Sequence, residues 1–161
     1  MLSALSVGLF VHLLAALVLA CGNAAALAAT IWARRTSDPA TSLTLMRMHR
    51  GVVNVLVIPG ALAVLASGIY LAYAAGVSLS VGWMLASFVV WALALAIGIA
   101  ILVPEQDRAI REAERLVEHA AGETSAELRR HVAARRIVLG EWSQQLLIVV
   151  FLYLMVFKPG S

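Results

Sequence analysis

A polar side chain in hydrocarbon costs free energy, so the few that interrupt long apolar stretches are the first residues to explain. His12 interrupts the first such stretch of the chain. Counting about 1.5 Å per helical residue, Tyr70 in the second stretch and Tyr153 in the fourth fall at a similar depth, with Met84 and Ser87 of the third close by. A neutral imidazole nitrogen is a ligand for a haem iron. His12 is the residue of this chain that could supply it, with Met84 as a possible second axial ligand, Tyr70 bonding a propionate and Tyr153 grouped with them by depth. The plainer reading is a buried histidine bonded to a tyrosine hydroxyl or a backbone carbonyl across the helices. Residue type alone leaves both open, and no Cys-x-x-Cys-His signature for covalent haem attachment occurs.

A second polar group lies toward the other ends of the stretches: Asn23, His49, Asn54, Glu141, Gln144 and Gln145. Glu141 is the only carboxylate inside an apolar stretch, about one turn from its end. It could pair with Arg47, Arg50 or His49, or relay protons; pairing is the commoner fate of such residues. Met46-Arg47-Met48-His49 offers thioether and imidazole groups of the kind that suit Cu(I). Its arginines repel a cation, however, and a helix would point Met46 and Met48 to different sides. His119 and His131 belong to charged segments and read as solvated. The single cysteine, Cys21, excludes a disulfide within the chain. No nucleophile paired with a base, no phosphate-cradling glycine loop and no zinc-ligand spacing occurs, which excludes hydrolytic and nucleotide-driven chemistry. No stretch carries the paired ion ligands of a transporter.

The elements that must position these residues follow from composition. The 161 residues are 62% apolar and 13% charged, against about 45–50% and 25% in soluble domains. The apolar residues fall in runs of about twenty, the length that crosses a bilayer. The expected fold is all-α, a four-helix transmembrane bundle in one domain covering residues 1–161. Its spans are about 5–32, 51–73, 81–103 and 137–157, with cytoplasmic loops at 33–50 and 104–136. The first run is read as a span. A cleaved signal, or a lipoprotein signal at Val18-Leu19-Ala20-Cys21, would want a basic start that Met1-Leu2-Ser3 lacks.

Pro59 and Gly60 predict a kink within the second span, and Pro104 bounds the third. Beyond Pro104, Ile110, Ala113 and Val117 at helical spacing predict an amphipathic extension ending at Gly122. Thr124-Ser125-Ala126-Glu127 reads as a capping box that opens the fourth helix, itself extended into water. Gly60, Ala63, Ser67 and Tyr70 form one expected packing stripe; Met84, Ser87, Trp91, Ala94 and Gly98 form another.

Orientation comes from basic residues, which are retained in the cytoplasm. Arg34, Arg35, Arg47 and Arg50 occupy the first loop, and Arg108, Arg111, Arg115, Arg129, Arg130, Arg135 and Arg136 the other, against Lys158 alone opposite. Both termini are therefore expected on the outer, periplasmic side of a bacterial inner membrane. Trp32, Trp83 and Trp142 fall near the expected interfaces. The net charge of +3 serves topology, so no nucleic-acid partner is expected.

With these residues placed, the chain resembles along its whole length a family of predicted four-span bacterial integral membrane proteins, a domain of unknown function. The resemblance rests on the ending Tyr153-Leu154-Met155-Val156-Phe157-Lys158-Pro159, on Pro59 and Gly68-Ile69-Tyr70-Leu71, on Gly82-Trp83-Met84-Leu85 and on Pro104-Glu105-Gln106. More distantly it is similar to HemJ-type protoporphyrinogen oxidases and to the membrane domain of CopD-type copper-resistance proteins. In the HemJ-type group a first-helix histidine is implicated in haem binding, and His12 occupies the matching place. This chain has Cys21-Gly22-Asn23 where that group has a tryptophan-containing, glycine-ended stretch. The expectation is a b-type haem or quinone-linked redox component, with haem b as the cofactor. The alternatives are an accessory or structural subunit of a membrane complex, and a copper-handling protein. Its partners would be the lipid bilayer and either other membrane proteins or further copies of itself.

Overall fold

A computed structural model describes residues 4–119 and 135–159. Among these, every regular element is helical. Helix α1 is Ala4–Arg35, α2 Pro39–Val52, α3 Ile58–Ala74, α4 Gly82–Ile97, α5 Val103–Glu118 and α6 Arg135–Phe157. A π-helical turn at Val53–Val57 joins α2 to α3, and another at Gly98–Leu102 joins α4 to α5. Four continuous rods result, Ala4–Arg35, Pro39–Ala74, Gly82–Glu118 and Arg135–Phe157, each long and apolar enough to cross a membrane.

Both π turns sit immediately before a proline, and the cause is local. Proline has no N–H, and its ring collides with the carbonyl four residues back. Ahead of Pro59 the Ile58 N–H bonds Val53 O, and ahead of Pro104 the Val103 N–H bonds Gly98 O, each one residue wider than an α-helical bond. The wider turn relieves the collision and lets the helix continue. Pro104 therefore does not end its helix, which runs on to Glu118.

The segment 33–50, expected as a loop, is mostly helix. α1 reaches Arg35, and after three intervening residues α2 starts at Pro39. The signals for that start are in the sequence. Asp38 is the N-cap, its carboxylate accepting from the Thr41 N–H at 2.9 Å and the Ala40 N–H at 3.3 Å, and Pro39 holds the first helical position. The Thr41 hydroxyl and N–H, followed by the Ala40 N–H, keep the Asp38 carboxyl below its ordinary range. The expected capping box at 124–127, together with Gly122, Arg129, Arg130 and His131, lies outside the described residues. The hairpin between α3 and α4 turns on Gly76, whose φ of +67° an L side chain resists. The Gly76 N–H bonds Tyr73 O at 3.1 Å and the Val77 N–H bonds Ala72 O at 2.9 Å, the paired bonds of a Schellman ending.

Helix α1 packs against α2 and α3, α6 packs against α4, and the two halves meet where α2 touches α5 and α1 touches α6. The buried face of α1 is Gly8, His12, Ala15, Gly22, Ala26, Ala29, Thr30 and Ala33. Gly8, Ala15, Gly22 and Ala29 recur every seven residues, the spacing of helices that cross in a left-handed sense. Small residues suit a seam between helices in lipid, where association depends on close contact. Gly60 shows how close: a Cβ there would lie 3.2 Å from the Leu19 backbone nitrogen. Large apolar side chains point outward instead, among them Leu9, Phe10, Leu13, Leu17, Val89 and Val156. Only 6% of the most apolar window of the Gly82–Glu118 rod is buried inside the protein. A soluble bundle could not leave that surface in water, so lipid surrounds it.

Candidate functional site

His12 lies on the buried face of α1 at 6% exposure, and both of its ring nitrogens have neighbours. Nδ1 is 2.9 Å from Ser67 Oγ on α3, and Nε2 is 3.1 Å from the Met155 sulfur on α6. The serine decides which nitrogen carries the proton. Its hydroxyl has one hydrogen, donated back to the Ala63 carbonyl, so Ser67 Oγ can only accept from His12. The network thus assigns the proton to Nδ1 and leaves Nε2 bare. In that assignment the Nε2 lone pair is turned toward the Met155 sulfur. Gly68 makes room for the ring: a Cβ there would sit 3.2 Å from His12 Cε1.

Gly68 and Met155 also line a cleft between α3, α4 and α6, whose other walls include Met84, Phe88, Trp91 and Phe151. The Cε1–Nε2 edge of His12 is therefore one side chain away from an apolar, aromatic-lined slot. Met84, 7% exposed, stands in the wall of this slot. Tyr70 stays at the edge, 44% exposed, with its ring against Gly8. Tyr153 and Met155 are two residues apart and so face different sides of α6. Met155 reaches His12, while Tyr153 is 53% exposed and packs on Phe157 at 4.8 Å between ring centroids. The buried face of α3 is Gly60, Val64, Ser67 and Ala72. Ala63 and Tyr70 are exposed, so the expected stripe is rotated toward Val64.

The second polar group divides into two levels. At the inner level the Gln145 amide donates to Asn23 O at 3.3 Å, the Asn23 amide donates to Leu19 O at 3.0 Å, and the Gln144 amide donates to Ala94 O at 2.6 Å. These bonds fasten α6 to α1 on one side and to α4 on the other. At the outer level Glu141, 4% exposed, binds Arg34 at 3.2 Å and faces His49 Nε2 at 3.9 Å. His49 in turn meets the Gln106 amide at 2.9 Å. Asn54 is exposed and belongs to neither level. Arg47 pairs with Glu114 and Arg50 with Asp107, so the cation on Glu141 is Arg34. Met46 lines a small cavity with His49, whereas Met48 is 45% exposed, and the Met-x-Met-His run does not converge.

Sequence reasoning did not find Met155, Arg34 or Gln106. Met155 reads as one more apolar residue in a helix of them, and Arg34 as one more basic residue at a helix end. Only the three-dimensional crossing of α1 with α6 brings either of them to its partner. Ser67 was visible as a small polar residue in a packing stripe, but not as the anchor of His12.

The family model described as predicted integral membrane protein (DUF2269) matches residues 7–159. No curated protein and no solved structure matches the chain. That match takes in all four rods and both polar sites, and the chain belongs to this family of predicted integral membrane proteins.

Proposed function

We propose that the protein is a membrane-embedded electron-transfer component in which His12 Nε2 ligates the iron of a b-type haem. The observation that carries this reading is His12 Nε2 placed 3.1 Å from the Met155 sulfur beside an aromatic-lined cleft, with Ser67 engaging the other ring nitrogen. The donor types match the group, while the cleft as it stands has room for about one water. His12 would hold it from α1, and Met84 or Met155 would supply a thioether as a further ligand. A flat apolar ligand would enter between α3, α4 and α6 only with Met155 turned aside and these helices spread apart. When bound, the haem would supply one-electron chemistry. Ser67 accepts the Nδ1 proton, which fixes the tautomer, orients the ring and makes Nε2 a better donor. Val64 and Phe88 help keep water from the site. In this reading the arginine-rich end faces the cytoplasm and both termini face outward across a bacterial inner membrane.

The test is an absorption spectrum of detergent-purified protein, oxidised and then reduced, with metal analysis on the same sample. A Soret band with stoichiometric iron is expected in the wild type and is absent in His12→Ala. Ser67→Ala retains the band with an affinity weakened by about 10–100-fold. A colourless protein without metal sinks the reading and leaves an accessory subunit of a membrane complex. Copper without iron would move the same donors to a soft-metal site.

A further inference from the structure

The end of the bundle away from His12 holds two buried titratable groups that an electron-transfer role does not use. Glu141 on α6 and His49 on α2 are 4% and 5% exposed, with Oε1 and Nε2 3.9 Å apart. Only part of their hydrogen-bonding capacity is met. Arg34 of α1 binds Oε2 at 3.2 Å, and the Gln106 amide of α5 donates to His49 Nε2 at 2.9 Å. With Nε2 accepting, the ring proton of a neutral His49 lies on Nδ1. Among the described residues, neither that Nδ1 nor Glu141 Oε1 has a hydrogen-bond partner. An orphaned donor and an orphaned acceptor in one buried site are a costly arrangement. Beside them is a cavity with room for about one water, lined by Thr30, Ala33, Met46, His49, Gln106 and Ile137.

We propose that His49 and Glu141 form a proton-binding site, holding one proton between them that is taken up from the arginine-rich end of the bundle. The proton adds to the Nε2 lone pair and no bond breaks. The new N–H donates to Glu141 Oε1, and a small shift of the ring closes the 3.9 Å gap. Gln106 turns its amide N–H away from the ring, because a protonated Nε2 has no lone pair to accept it. A water in the adjacent cavity would receive the Nδ1 hydrogen.

The charges around the pair come from each neighbouring helix. Arg34 on α1 is fixed on the carboxylate. Arg47 and Arg50 on α2 are paired with Glu114 and Asp107 of α5 at 2.8 and 2.7 Å. Glu105 on α5, 8% exposed, is held by Arg108 at 2.9 Å, and Arg135 and Arg136 open α6. Glu141 is thus the anion that faces His49 at close range. A metal cation would meet the Arg34 guanidinium at the same carboxylate, whereas a proton needs no such room.

The experiment uses the full chain in lipid nanodiscs with 15N-labelled histidine, titrated with pH and read by the ring nitrogen shifts, with His49 assigned from His49→Gln. The His49 ring is expected to titrate while the protein stays folded. Glu141→Gln should lower its proton affinity at least about tenfold, one pH unit at the midpoint. A ring that stays neutral throughout, or a midpoint that Glu141→Gln leaves unmoved, overturns the proposal. A second measurement needs no variant at position 141: infrared difference spectra of the wild type across the same titration. One shared proton makes the carboxylate band shift at the midpoint of the His49 ring; separate midpoints refute it.

Discussion

An imidazole whose two nitrogens have unlike neighbours is a directional group, and the direction at His12 is set by a single hydroxyl proton. Because Ser67 gives that proton to Ala63, His12 must donate through Nδ1, and its reactive lone pair is turned toward α6. Replacing Ser67 by alanine removes the acceptor while keeping the helix. We expect a loss of about 1 kcal/mol, read as a lower melting midpoint in detergent, because Nδ1 loses its hydroxyl partner. The ring would also lose its fixed tautomer, visible in the nitrogen shifts of 15N-labelled His12. Valine at position 67 should cost more, since it adds an apolar branch against the ring without restoring the acceptor. His12 was legible in the sequence because a lone polar residue among Leu, Val and Phe stands out. Met155 was not, because a thioether is apolar by composition and a ligand only by position. The same holds at the other end, where Glu141 was conspicuous as an intramembrane carboxylate while its counterion depended on which arginine the fold delivers.

Among the elements, the seam between α1 and α3 depends on the absence of a side chain at Gly60. A Cβ there meets the Leu19 backbone, which cannot turn aside as a flexible side chain could. Gly60→Val should therefore push the two helices apart and cost about 1–3 kcal/mol. Gly51→Ala is the matched control. Nothing lies within 4 Å of a Cβ at Gly51, an exposed site on α2, so alanine should stabilise by about 0.5–1 kcal/mol. The start of α2 carries a pH dependence of its own. The Asp38 carboxyl is held below its ordinary range by the Thr41 and Ala40 groups that it caps. Its contribution is therefore present above the unfolded-state pKa and fades as pH falls through the lower folded one. In melting curves Asp38→Asn should narrow the difference between neutral and acid pH, and an unchanged difference would count against the cap. Asp38-Pro39 was a readable helix start, overlooked because the polar residues around it resemble a loop. The continuation beyond Pro104 was readable from Ile110, Ala113 and Val117 at helical spacing, whereas the π turn that carries the helix past the proline was not. Where the buried face of α3 falls was beyond the sequence as well: Ala63 and Val64 are equally apolar, and only the approach of His12 to Gly68 selects the Val64 side.

For the whole molecule, a thin core of small residues and an outer sheath of Leu, Val and Phe mean that the bilayer is part of the folded state. The four rods and their apolar periodicity were legible because hydrocarbon thickness imposes a length that composition alone can report. The distribution of charge makes the same argument about direction. Arg34, Arg50 and Arg115 lie at one end of the bundle, and Lys158 reaches over the Trp83 ring, 5.6 Å from its centroid, at the other. The chain's one cysteine makes this testable. Cys21 is exposed within α1, so Cys21→Ala gives a background in which any new thiol is the only one. Single cysteines at Ser37 and Glu112 should react with a membrane-impermeant maleimide only after the cells are opened. Single cysteines at Ser78 and Lys158 should react with intact cells. If Ser37→Cys and Glu112→Cys are labelled from opposite faces, α2 and α5 cannot lie side by side. The Arg50–Asp107 pair, the His49–Gln106 contact and the proton site between α2 and α6 would then have no common place in which to form.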